Sequence, residues 1–315
     1  MATEYTSPGM TIAEVQARIA DILGWDVNNA DQLAKINMAI TQAGLAATTY
    51  QGNIWWWMRK KCYFTTYDDN TISSISRSSN TVTVTTASAH GYTVNSIVKI
   101  KGTSSDTFEG IYTIASVPSS TTFTYAQAGD DETATGGTTS VIGYPLQTVA
   151  NQMMQNLRAV ERVTYADQWE LRFVERPTFF QWHTLSTTSY TGKPTHYTYF
   201  YDNRPYIGLY PACGGQYQIF IQYICRHSKI DNNSSDDALI VPPEYQYDVY
   251  VRGGAWLLKN DLLGDTDLQQ CPAFVNAMRR MTASEPPSYI TETEQIVYPA
   301  DKPVIENTVF LTPDE

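Results

Sequence analysis

The sequence predicts an α+β chain in which helices near both ends enclose a β-rich middle. Three observations carry that expectation. Apolar residues recur at helical spacing before residue 50 and again after residue 242. Long stretches between them alternate apolar with polar residues, and Tyr is abundant at 22 of 315 positions. The helices from the two ends are expected to join as a discontinuous four-helix bundle. Beside it lie a central antiparallel β domain, an inserted small all-β module and an extended C-terminal arm.

The first helix opens on Thr11-Ile12-Ala13-Glu14, the S/T-x-x-E form of a capping box, and carries Val15, Ile19, Ile22 and Leu23. Gly24 ends it. A second starts near Asn29 and presents Leu33, Ile36, Ile40, Ala43 and Ala47 on one face. The Trp-rich run Ile54–Phe64 completes a segment spanning 1–70. Trp55, Trp56 and Trp57 are adjacent and cannot all face one core, so some belong at a boundary between domains or subunits.

Residues 71–140 change character, with few charges, many Ser and Thr, and β alternation at 81–85, 96–100, 110–114 and 121–125. Turn residues at Asn80, His90-Gly91, Gly102 and Pro118 punctuate them, and the acidic stretch 130–140 reads as a link. Segment 141–230 begins ambiguously: 144–165 suits a helix by its apolar spacing and a strand over 159–165. Trp169–Val174 reads as strand and Phe179–Trp182 as part of an aromatic core. Three β-rich runs then follow the Gly192-Lys193-Pro194 turn, broken at 202–205 and 211–215, which reads as an antiparallel meander. In 231–285, Pro242-Pro243 introduces a third helix with Gly253-Gly254-Ala255 permitting close approach, and a fourth runs from about 267 to 283. The arm, 286–315, holds six carboxylates against Lys302. It lacks the apolar content for a core and is expected to order on a partner.

Little in the chain asks for chemistry. His90, His183, His196 and His227 have no metal-ligand spacing, and no GxSxG, GxxxxGK[ST] or GxGxxG occurs. Asp236-Asp237 and Glu292/Glu294 read as solvated surface carboxylates. No enzyme activity, cofactor or metal is expected. Cys62, Cys213, Cys225 and Cys271 form no CxxC pair and read as buried, reduced thiols. A net charge of −11 argues against a general nucleic-acid binder, and Arg59-Lys60-Lys61 is the one basic cluster. No apolar run reaches the length of a membrane span, and the N-terminus lacks a signal peptide's charged and apolar regions.

The order of these parts resembles the head-to-tail adaptor proteins of tailed phages, in particular the tail tubular adaptors of short-tailed phages. Gly192, Pro194, Tyr197, Tyr199, Leu209, Tyr210, Pro211, Tyr217, Ile219, Ile221 and Tyr223 carry the resemblance, with Gly253-Gly254-Ala255. It covers the chain outside about 71–140. That segment itself resembles a small β-module inserted in phage structural proteins, a departure from the simplest adaptors. The resemblance implies a structural virion protein, assembled in the host cytoplasm, that forms a ring of twelve subunits joining the portal to the tail nozzle. In some phages it also holds the fibres, and DNA passes through the channel without sequence-specific binding. Subunit contacts are expected at Trp55, Trp56, Trp57, Tyr197, Tyr199, Tyr201 and Tyr210. Portal or nozzle docking is expected at Tyr289, Ile296, Val297, Tyr298, Val304, Ile305, Phe310 and Leu311. The competing readings are a receptor- or glycan-binding tail or decoration protein, and a polymer hydrolase with paired carboxylates.

Overall fold

The computed structural model describes residues 9–146, 157–166, 168–185, 191–261 and 267–284. The docking residues expected in the arm, from Tyr289 to Leu311, lie outside the described residues. Within them the chain is α+β, with mainly antiparallel pairing.

Helix α1 (Ile12–Leu23) begins on the expected capping box. The Glu14 amide donates to Thr11 Oγ1 at 3.1 Å, and the Thr11 amide donates back to Glu14 Oε2 at 2.9 Å. Gly24 ends the helix in the left-handed region at φ 67°. Helix α2 (Ala30–Thr49) starts on Asn29, whose side chain accepts from the amides of Asp31 and Gln32. Its buried face is unusually small, with Ala39, Ala43, Gly44 and Ala47, so neighbours come close. A Cβ on Gly44 would overlap the His227 ring.

Strands follow in order: β1 (Arg59–Thr65), β2 (Asn70–Ser78), β3 (Thr81–Thr86), β4 (Ile97–Lys101), β5 (Gly110–Thr113) and β6 (Ser116–Ser119). Then come β7 (Thr122–Ala126), β8 (Glu132–Ala134), β9 (Thr138–Pro145) and β10 (Leu157–Tyr165). The 144–165 ambiguity is thus settled as strand over 157–165. The Trp169–Val174 run is not one strand. It divides into β11 (Trp169–Glu170) and β12 (Arg172–Phe173), which belong to different sheets, with Leu171 buried between them. Phe179–Trp182 sit on a helix, α3 (Arg176–Leu185), which packs on the sheet where Gly208 leaves room for the Phe179 ring.

The remaining strands are β13 (Thr191–Gly192), β14 (His196–Tyr201), β15 (Pro205–Tyr210), β16 (Ala212–Cys213) and β17 (Gln218–Cys225). The expected three-run meander is corrected here. β14 and β15 form a hairpin, but β17 leaves for a second sheet and pairs between β1 and β10. Residues 211–217 carry the chain across. Alternation in β17 then buries Ile219, Ile221 and Tyr223 in the main core.

Two sheets result. The smaller has the order β1-β17-β10-β11, with β1 at its edge. The larger follows β12-β14-β15-β9-β2-β3-β7-β6, with β4, β5 and β8 off that path. β9 pairs with β15 over 143–145, with β2 over 138–139 and with β4 over 138–143, so residue 140, where the composition changes, lies inside a continuous strand.

After β17, Asp236 Oδ1 accepts from the Ile12 amide at 2.8 Å, and Gln246 Oε1 accepts from Met10 at 2.7 Å. Asp236 is therefore more than a solvated carboxylate: it satisfies a first-turn donor of α1. Helix α4 (Pro243–Gln246) passes through a π-helical stretch, Tyr247–Arg252, into α5 (Gly253–Asp261). The last helix, α6 (Pro272–Ser284), follows a short 3-10 turn at 268–270, so the helix proper starts five residues later than the sequence suggests. α5 lies against α2, where a Cβ on Gly253 would stand 3.7 Å from Ala43 Cβ, and α1 closes on Gly254 through Ile19.

Candidate interaction surfaces

The three tryptophans separate where extended chain at Trp55 passes into a 3-10 turn over Trp56–Met58. Trp55 is fully buried, donating from Nε1 to the Ala47 carbonyl at 2.8 Å, and stacks on Trp57 with ring centroids 6.4 Å apart. Trp57 is buried too. Both spend their surface inside the chain, which leaves Trp56, 45 % exposed, as the one turned toward solvent. One core takes two of the three.

The tyrosines also divide. Tyr197, Tyr199 and Tyr201 point to one face of β14, while Tyr210 of β15 lies on the other against Trp182 and His183 of α3. Tyr197 is buried, Tyr199 and Tyr210 are half-buried, and only Tyr201, at 67 %, is open. Phe173, 54 % exposed, meets Tyr197 edge to face at 5.6 Å. Sequence alternation gave no sign of Phe173, because its exposure follows from the break at Leu171.

The small sheet presents one apolar and one solvated face. Cys62, Phe64, Ile219, Ile221 and Val163 face the core. The outer face carries Arg59, Lys61 and Tyr63 of β1, with the Lys61 ammonium 4.9 Å from the Phe220 ring centre and Tyr63 5.6 Å from it. Arg59 bridges to Glu161 at 3.1 Å and Arg162 to Glu170 at 3.2 Å. Arg59-Lys60-Lys61 is therefore an exposed strand start, joined to the tryptophan segment by a short 3-10 turn. Tyr63, 56 % exposed, went unnoticed in sequence, where it reads as one more aromatic of the run.

On the helical side, Met38 (52 % exposed) and Gln42 of α2 separate two open grooves of about 430 and 650 Å³. One is walled by Leu257, Leu258 and Phe274, the other by residues 229–233.

The four cysteines are buried and unbridged, and burial pushes Cys62 up to about 11 and Cys213 up to about 12. Burial drives His183 and His227 down to about 4, with the nearby Lys99 charge adding to the effect at His183. His196, near Arg172, is lowered mainly by desolvation. Among the described residues no three His, Cys, Asp or Glu side chains cluster as metal ligands. No described helix is long and apolar enough to cross a membrane. The chain matches no protein-family model and no curated protein.

Proposed function

We propose that this chain is a structural subunit of a head-to-tail adaptor ring in a short-tailed phage virion, without catalytic activity. The observation that carries the reading is the joining of helices from both chain ends on the flank of a Tyr-rich antiparallel domain. Gly253 and Gly254 of α5 set the close approach to α2 and α1, within the chain region that bears the resemblance. On this reading those helices form one discontinuous bundle, and 71–140 is a β-module borne by the host domain. Twelve head-to-tail copies close around an axis. The portal and tail nozzle are the partners above and below, and fibres are a further candidate. Trp56, Tyr63, Trp169, Phe173 and Tyr201 are exposed aromatic side chains available for subunit contact. A net charge of −11 suits a channel wall that DNA must slide past without sticking.

Light scattering of the purified chain, with and without the portal protein encoded beside it, tests the proposal. A ring-sized mass, alone or on the portal, supports it. A stable trimer indifferent to the portal refutes it and favours receptor or glycan binding.

A further inference from the structure

The open edge of β1 is the most specific unused feature of the small sheet. Among the described residues β1 has a strand partner on one side only, β17, and the backbone groups of alternate residues turn toward its other edge. That edge starts with three exposed basic residues, Arg59, Lys60 and Lys61. Like charges oppose the pairing of two such edges, and an acidic strand is their complement.

The sequence contains one segment suited to that. Ser288–Tyr298, SYITETEQIVY, is eleven residues without Pro, Gly or a basic side chain, bounded by Pro287 and Pro299 and rich in Tyr, Ile, Thr and Val. Its acids, Glu292 and Glu294, are two residues apart, as Arg59 and Lys61 are on the outer face of β1. Both strand directions bring the charges together. In a parallel pairing Glu292 meets Arg59 and Glu294 meets Lys61, and Ile296 falls opposite Tyr63. In an antiparallel pairing the charges exchange partners and Ile290 falls opposite Tyr63.

The ring reading makes a neighbouring copy the donor. Phe274 packs on Tyr50, just before the tryptophan segment that leads into β1. Ten residues later Ser284 lies within hydrogen-bond reach of the Tyr245 hydroxyl at 3.1 Å. At about 1.5 Å per residue the helix spans roughly 15 Å between these two contacts.

We propose that Ser288–Tyr298 of one copy adds as a strand to the β1 edge of a neighbouring copy, closing the small sheet between subunits. The inference rests on the ring reading and refines it. The first half of the arm clasps the neighbouring subunit, which leaves Val304–Leu311 for portal or nozzle.

Disulfide trapping in the full-length chain tests the proposal. Tyr63→Cys is combined with Ile296→Cys or with Ile290→Cys, and Val94→Cys, at an exposed position, with Ile296→Cys serves as control. Mild oxidation should give a ladder of linked subunits for one of the first two pairs and none for the control. Arg59→Glu with Lys61→Glu should slow trapping at least tenfold, and adding Glu292→Lys with Glu294→Lys should restore it. A ring-sized particle without trapping in either pair overturns the strand exchange and spares the ring. Linkage confined within single chains does the same. A ladder that stops at dimers keeps the strand exchange and refutes the ring. A monomer with no ladder refutes both.

Discussion

His227 makes an acid-sensitive joint between the helices and the small sheet. It follows β17, is 2 % exposed, packs on Gly44 and stands 5.4 Å from the Tyr250 ring. Neither ring nitrogen has a hydrogen-bond partner among the described residues. Burial lowers its pKa from 6.5 to about 4 in the folded chain. The folded state therefore binds this proton less readily than the unfolded state does. Stability is complete above about pH 6.5, declines as pH falls, and levels off below about 4. The gap of about 2.5 pH units amounts to about 3 kcal/mol. His183, 3 % exposed and also held at about 4, contributes a second proton over the same window. The perturbation is His227→Leu, and the assay is urea unfolding followed by tryptophan fluorescence between pH 7.5 and 4. At pH 7 the variant should lie within about 1.5 kcal/mol of the parent, since it removes an unpaired polar ring along with its shape. Between pH 6.5 and 4 its stability should fall by about 3 kcal/mol less than the parent's. An unchanged acid slope would refute the assignment.

Three further outcomes follow from packing. Gly44→Ala should destabilise by about 1–3 kcal/mol in thermal or urea unfolding despite alanine's higher helix propensity, because its Cβ has no room beside His227. Trp55→Ala should cost about 3–5 kcal/mol of stability, whereas Trp56→Ala should change it by about 0.5 kcal/mol or less and instead reduce assembly in sedimentation. All four thiols should resist a neutral-pH thiol reagent until the chain unfolds, Cys62 and Cys213 most of all.

Features that depend on neighbours in sequence were legible before the structure. The Thr11–Glu14 box, the Gly24 stop and the Asn29 cap are contacts over two to four residues, and each forms where the pattern places it. Choices between distant partners were not legible. The alternation of β17 specifies which side chains turn inward but says nothing of whether β15 or β1 lies beside it. Nor does the periodicity of 157–165 distinguish an edge-free strand from a helix until β17 and β11 flank it. Phe179 reads as a core aromatic in any element. It falls on a helix because Pro177 fixes the first turn and Gly208 opens the sheet beneath it. The candidate surface was partly legible for the same reason. Trp56 is exposed because Trp55 and Trp57 are not, whereas the exposure of Phe173 needs the sheet change at Leu171.

β9 has a mechanical consequence. Its eight residues form one spine, hydrogen-bonded to β15 over 143–145, to β2 over 138–139 and to β4 over 138–143. A tether between the two regions would let 71–140 swing and absorb a sideways load by reorienting. A shared strand transmits that load as torque, because turning the unit means shearing several ladder bonds together rather than opening them one by one. Any copy of this chain fixed at its helices therefore holds residues 71–140 at a set bearing, like a tooth cut from the same metal as its wheel.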